Sequence, residues 1–108
     1  MLRWNINTIK DKELLTLFIG RKGGITTARI MDKLLTKPYN KNQLATQLDV
    51  DYNTITHHIT IMGKHNYITP IEFDNCTYYH PSEKLFKSLE EYKIIRDYLL
   101  SQDPNVLD

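Results

Sequence analysis

Leu48-Asp49-Val50-Asp51-Tyr52-Asn53-Thr54-Ile55-Thr56-His57-His58-Ile59-Thr60-Ile61-Met62 is the stretch whose reading decides the fold. Asp49-Val50-Asp51 interrupts the apolar period, and Asp51 is a capping residue type set just before a new period begins. Ile55, Ile59 and Met62 then recur at steps of four and three, which is one face of an α-helix. Upstream, Asn40 and Gln43 form a capping-box pair that opens a short helix carrying Leu44, Ala45 and Leu48. Two helices joined by so short a break have the spacing of a helix-turn-helix.

Working outward, Leu14, Leu15, Phe18 and Ile19 give an N-terminal helix over 10–20, capped by Thr8 or Asp11 and ended by Gly20 with Gly23-Gly24. Thr26 or Thr27 opens the next helix, with Ile30, Met31, Leu34 and Leu35 at core spacing, and Lys37-Pro38 closes it. After Asn66 the period changes to aromatic and β-branched runs, Tyr67–Phe73 and Thr77–His80, with Asp74-Asn75 as turn chemistry between them. Pro70 fits such a hairpin only on an edge or at a bulge. A helix over 82–102 follows, with Leu85, Leu89, Tyr92, Ile95 and Leu99 at steps of four, three, three and four, and Asp103-Pro104 ends it before a frayed tail. The expected architecture is α+β, mainly α: one domain over 1–108, with a winged helix-turn-helix core over 26–81 between an N-terminal helix and a long C-terminal dimerisation helix.

Composition bounds the function. The chain has 108 residues, enough for one modest core, and its 41% hydrophobic and 25% charged content is that of a globular protein. Its apolar runs are too short to span a bilayer, and Met1–Asn5 lacks the layout of a secretory signal, so a cytoplasmic protein without a membrane partner is expected. The single Cys76 excludes an internal disulfide. The net charge is only +1, but it is uneven. Arg3, Lys10, Lys12, Arg21, Lys22, Arg29, Lys33, Lys37 and Lys41 outnumber the acids up to Val50, and the rest is net acidic.

The quoted stretch is similar to the recognition region of ArsR-type (arsenic-repressor-like) winged-helix regulators. Their pattern there is a polar cap, two small polar residues, Thr, an aliphatic, Ser/Thr, a polar residue, His and an aliphatic. The likeness spans roughly Thr27 to Ser82, and Thr54-Ile55-Thr56-His57-His58-Ile59 is its most specific part. The resemblance implies a homodimeric repressor or activator acting at its own or a neighbouring promoter. It does not extend to metal sensing: Asn42-Gln43-Leu44-Ala45-Thr46-Gln47 holds no thiol, and the C-terminal helix has carboxylates but no histidine. The wing also departs, since Glu72, Asp74, Asn75 and Cys76 replace the usual basic tip.

With Ile55, Ile59 and Met62 turned inward, Tyr52, Asn53, Thr54, Thr56, His57 and Thr60 are expected to face double-stranded DNA from a reading helix over about 51–65. They are short or planar hydrogen-bonding groups, free of acid. Lys41 and Lys64 are the expected phosphate contacts; Arg29 and Lys37 are either phosphate contacts or plain solubilising residues. His58 is expected to be packed inside. Adjacent His57 and His58 project in different directions and no His-x3-His pair exists, so neither a metal nor any other cofactor is expected. Gly20-Arg21-Lys22-Gly23-Gly24 is not a phosphate loop and no nucleophile has a base at a telling spacing, so no enzyme is expected. The Leu85, Leu89, Tyr92, Ile95 and Leu99 stripe is the expected seam between copies, the alternative being that this helix folds back onto its own domain. The rival reading is a winged helix that binds a protein and not DNA, favoured by the near-neutral charge and acidic wing.

Overall fold

The computed structural model describes residues 6–102; Met1–Asn5, on which the signal reading rests, and residues 103–108, on which the expected Asp103-Pro104 stop and frayed tail fall, lie outside them. After a 3₁₀ turn at Ile6–Thr8 come α1 (Lys12–Phe18), α2 (Gly24–Leu34), α3 (Lys41–Leu48) and α4 (Tyr52–Lys64). Strands β1 (Ile68–Phe73) and β2 (Cys76–Pro81) follow, then α5 (Glu83–Lys87) and α6 (Leu89–Ser101). Contacts cluster into two units: Arg29–Lys87, and the flanking stretches up to Ala28 and from Ser88 on.

In the flanking unit, the Asp11 carboxylate caps α1 by accepting the Leu14 N–H at 3.0 Å, so Asp11 and not Thr8 is the cap. Its other oxygen accepts the Ser88 hydroxyl at 2.8 Å, while Glu91 takes the backbone N–H groups of Lys10 and Asp11 at 2.9 and 3.0 Å. Leu14, Leu17 and Phe18 are buried from α1, so the inward stripe includes Leu17 where Leu15 and Ile19 were expected. Phe18 packs on Tyr92 with ring centroids 5.3 Å apart, and the Tyr92 hydroxyl donates to the Ala28 carbonyl at 3.0 Å.

Helix α2 begins at Gly24, ahead of the expected Thr26 or Thr27. Gly23 has φ 85°, where a side chain is strained, and a Cβ on Gly24 would stand 1.8 Å from the Phe18 carbonyl oxygen. Two glycines thus permit a tight return that the threonines do not need to cap. Thr27 is instead buried, donating to the Gly23 carbonyl and accepting from Arg21, each at 3.1 Å.

In the Arg29–Lys87 unit, the capping box at α3 forms in both directions: the Gln43 N–H reaches Asn40 at 2.8 Å and the Asn40 N–H reaches Gln43 at 2.9 Å. Asp49 ends α3 in the left-handed region, φ 55°, and the Val50 N–H closes onto the Ala45 carbonyl at 3.0 Å. Asp51 then caps α4 by accepting from Asn53 and Thr54 at 2.9 and 3.3 Å. The far end of α4 closes as a Schellman motif: Asn66 takes φ 66°, its N–H bonds Gly63 and the Tyr67 N–H bonds Met62, each at 3.0 Å. Ile55, His58, Ile59 and Met62 face inward with Ile30, Met31, Leu34, Leu44 and Tyr67 among the buried side chains.

The hairpin pairs Ile68 with Pro81 through to Phe73 with Cys76, turning on Asp74 and Asn75 at φ 54° and 62°, which is the positive-φ pair a two-residue turn requires. Tyr79 spends its backbone N–H and C=O on Tyr39, at 2.8 and 3.2 Å. Pro70, its cross-strand partner, therefore sits at a non-hydrogen-bonded position with its ring nitrogen toward the open edge. That is how a proline enters this strand without a bulge.

The C-terminal helix expected over 82–102 is interrupted at Ser88, where φ is −113°. Ser88 gives its hydroxyl to Asp11, and its carbonyl opens α6 by accepting the Tyr92 N–H at 2.8 Å. Leu85 consequently belongs to one unit, and Tyr92 and Ile95 to the other.

Candidate nucleic-acid interface

Asp51 takes the Asn53 and Thr54 backbone N–H groups, which leaves the side chains of the first turn of α4 free to point outward. Tyr52 is 45% exposed, and Asn53, Thr54, His57 and Thr60 are exposed as well. Thr56, also expected on the reading face, is only partly exposed, and its hydroxyl oxygen is buried without a hydrogen-bond partner. Position 56 falls at the margin between the buried and open faces, one residue from the buried Ile55, so periodicity alone could not assign it. His58 is buried as expected, its ring edge-on to His57 with centroids 5.5 Å apart.

Lys41, in the first turn of α3, holds its ammonium 5.8 Å from the centre of the Tyr52 ring. Lys64 is exposed in the last turn of α4. Arg29, offered by the sequence as a phosphate contact or a solubilising residue, has a third role: it donates to the Leu48 carbonyl at 3.0 Å and so closes the end of α3. Lys33 bonds Gln47 at 3.0 Å, Lys37 stands 5.4 Å from the Tyr39 ring, and Lys84 bonds the His65 carbonyl at 2.7 Å.

Two clefts flank Lys41. One, of about 300 Å³, lies among Asn40, Lys41, Asn42, Tyr52, Cys76, Thr77 and Tyr79. There the Asn40 side-chain amide donates to the Cys76 sulfur at 3.3 Å. The other, of about 490 Å³, runs between α4 and β1. Burial raises the Tyr79 phenol above its usual value of about 10, helped by the nearby Tyr52 and Glu72, so it stands as a neutral hydroxyl at physiological pH. Glu72 accepts the Thr77 hydroxyl across the hairpin at 2.6 Å. Its alternate face is apolar: Pro38, Ile71, Phe73 and Tyr78 line a shallow depression of about 380 Å³, and Phe73 is 69% exposed. Strand alternation could have separated these two faces of the wing in the sequence.

The expected seam between copies is largely internal. Leu85, Tyr92 and Ile95 are wholly buried within one chain, so their surface is not available to a partner; Leu89 and Leu99 keep partial exposure, as do Ile94 and Tyr98 on another face of α6. Among the described residues no group of three or more His, Cys, Asp or Glu side chains is placed to hold a metal ion, and no helix is long and apolar enough to cross a membrane.

No protein-family model matches the chain, and no curated protein matches it in sequence. The crystal structure of NolR from Sinorhizobium fredii is similar in fold, with a TM-score of 0.57 at 15% identity over 88% of this chain and 96% of that one. The fold is a winged helix-turn-helix. In the terms of that fold α3 and α4 are the helix-turn-helix and β1–β2 the wing.

Proposed function

We propose that this chain is a cytoplasmic, non-enzymatic transcription regulator that binds double-stranded DNA sequence-specifically as a homodimer, with α4 reading the major groove. The observation that carries the reading is the outer face of α4: Tyr52, Asn53, Thr54, His57 and Thr60 are exposed, offer hydrogen bonds suited to base edges, and include no carboxylate. A merely solvated helix face normally shows Lys and Glu, and this one shows neither until Lys64. A fold shared with NolR, a winged-helix transcription regulator, supports the same reading, as does the resemblance of residues 48–62 to ArsR-type recognition regions. Lys41 and Lys64 anchor phosphates at its two ends. Between copies, α6 contributes Leu89, Ile94, Tyr98, Leu99 and Leu100, the apolar side chains it leaves part-exposed.

The test is selection of duplexes from a random-sequence library by the full chain, followed by gel shift of the enriched duplex against a scrambled one. Enrichment of a two-fold symmetric sequence, with a specific-to-scrambled affinity ratio of about 10³ or more, supports the reading. Failure to enrich any sequence overturns it.

A protein-binding module is the second reading, and the observation favouring it is the apolar wing face around Phe73. It takes precedence if the chain enriches no duplex.

A further inference from the structure

Gly63 is in the last turn of α4, where glycine is a poor helix former. Its backbone does not require glycine, since the described glycine at positive φ is Gly23. Packing does not require it either: a Cβ placed on Gly63 would meet nothing within 4 Å. Gly63 does line the groove of about 490 Å³ between α4 and β1.

The lining of that groove is selective. Lys41, Thr60, Asn66, Thr69 and Tyr79 supply an ammonium, hydroxyls and an amide beside the apolar Ile59, Ile68 and Pro70, and no carboxylate lines it. Such a set suits an anionic, oxygen-rich chain. An extended peptide adding to the β1 edge is disfavoured, because Pro70 offers that edge no N–H. We propose that this groove seats the sugar–phosphate backbone of one DNA strand, and that Gly63 is the residue that admits it. The inference rests on the DNA-binding reading: with α4 in a major groove and the hairpin beside it, the backbone ridge bordering that groove has to pass between them.

The experiment uses the full chain and its Gly63→Ala and Gly63→Leu variants, with the selected duplex and a scrambled duplex of equal length as probes. Gly63→Ala raises the melting temperature by about 2 °C or more, because it restores helix propensity in open space. Affinity falls in the opposite direction, at least threefold for Gly63→Ala and at least tenfold for Gly63→Leu. It falls alike on both duplexes, as loss of a backbone contact must. A structural role for Gly63 would move stability and binding together. Wild-type affinity in either folded variant, or a lowered melting temperature in Gly63→Ala, overturns the groove assignment while leaving the DNA reading standing. If Gly63→Leu does not fold, Gly63→Ala decides alone. A wild-type chain that binds neither duplex overturns both.

Discussion

Asn53 and Lys41 carry different chemistry and so different expected losses. Asn53 is exposed in the first turn of α4, the part of a reading helix that inserts deepest, and its amide can pair with the N6 and N7 edge of adenine. Asn53→Ala should cost about 1–3 kcal/mol on the selected duplex and little on a scrambled one. Lys41→Ala should weaken both alike and reduce the salt slope by about one per copy; competition gel shifts at several salt concentrations separate the two. Thr56 makes the opposite case, because its hydroxyl oxygen is buried without a partner. Thr56→Val removes that burden, so unfolding by denaturant should show unchanged or increased stability, by up to about 1–2 kcal/mol. A loss of more than about 1 kcal/mol would mean the hydroxyl is satisfied after all. Tyr79 sets a pH dependence. Its folded value is raised above the usual 10 by burial, Tyr52 and Glu72, so the folded state holds the proton more tightly than the unfolded state. Stability from this group is present below about pH 10 and is lost as pH rises through the folded value. Alkaline unfolding of Tyr79→Phe should therefore show a shallower decline above pH 10 than wild type, monitored by far-ultraviolet circular dichroism.

At the scale of elements, the turn between α3 and α4 fixes how α4, the proposed reading helix, is presented. Leu48 ends α3 with an orphan carbonyl, Arg29 fills it, and the next residue, Asp49, holds a left-handed conformation that costs a non-glycine residue about 1–2 kcal/mol. Arg29→Ala should speed amide hydrogen exchange at Val50 and lower the ratio of specific to scrambled affinity while leaving the salt slope unchanged. A slope reduced by one per copy would return Arg29 to the phosphates. The same elements show what could be read from the sequence. Capping at Asn40–Gln43 and at Asp51 was legible because it works over two or three residues, and the hairpin turn at Asp74-Asn75 because its chemistry is local. The interruption at Ser88 was not, since its hydroxyl's partner, Asp11, is 77 residues away in sequence. Periodicity ran straight through it and joined Leu85 to Tyr92 as one stripe. The candidate interface was legible as a helix face, through residues such as Asn53 and His57. The role of Arg29 and the groove beside Gly63 depend on contacts between elements, on which residue spacing is silent.

Across the whole molecule, the small net charge of +1 is a statement about how DNA would be held. Arg29, Lys33 and Lys84 are engaged by Leu48, Gln47 and His65, and Lys41 and Lys64 are the cations proposed to meet phosphates. Each phosphate neutralised contributes about −0.9 to the slope of log affinity against log salt concentration. Two copies with two such contacts each give a slope of about −3 to −4, shallow for a specific regulator, and a single copy about −2. Base contacts must then supply more of the affinity than backbone charge does, which is consistent with the hydroxyl- and amide-rich face of α4. Gel shifts over about 0.05–0.3 M salt, read together with sedimentation of the free and bound protein, test the count and the copy number at once. A slope near −2 with a sedimenting monomer would remove the homodimer and the part-exposed side chains of α6 from the proposal. A slope steeper than about −6 would show that cations beyond α4 reach the duplex, and the interface would have to extend past the helix-turn-helix.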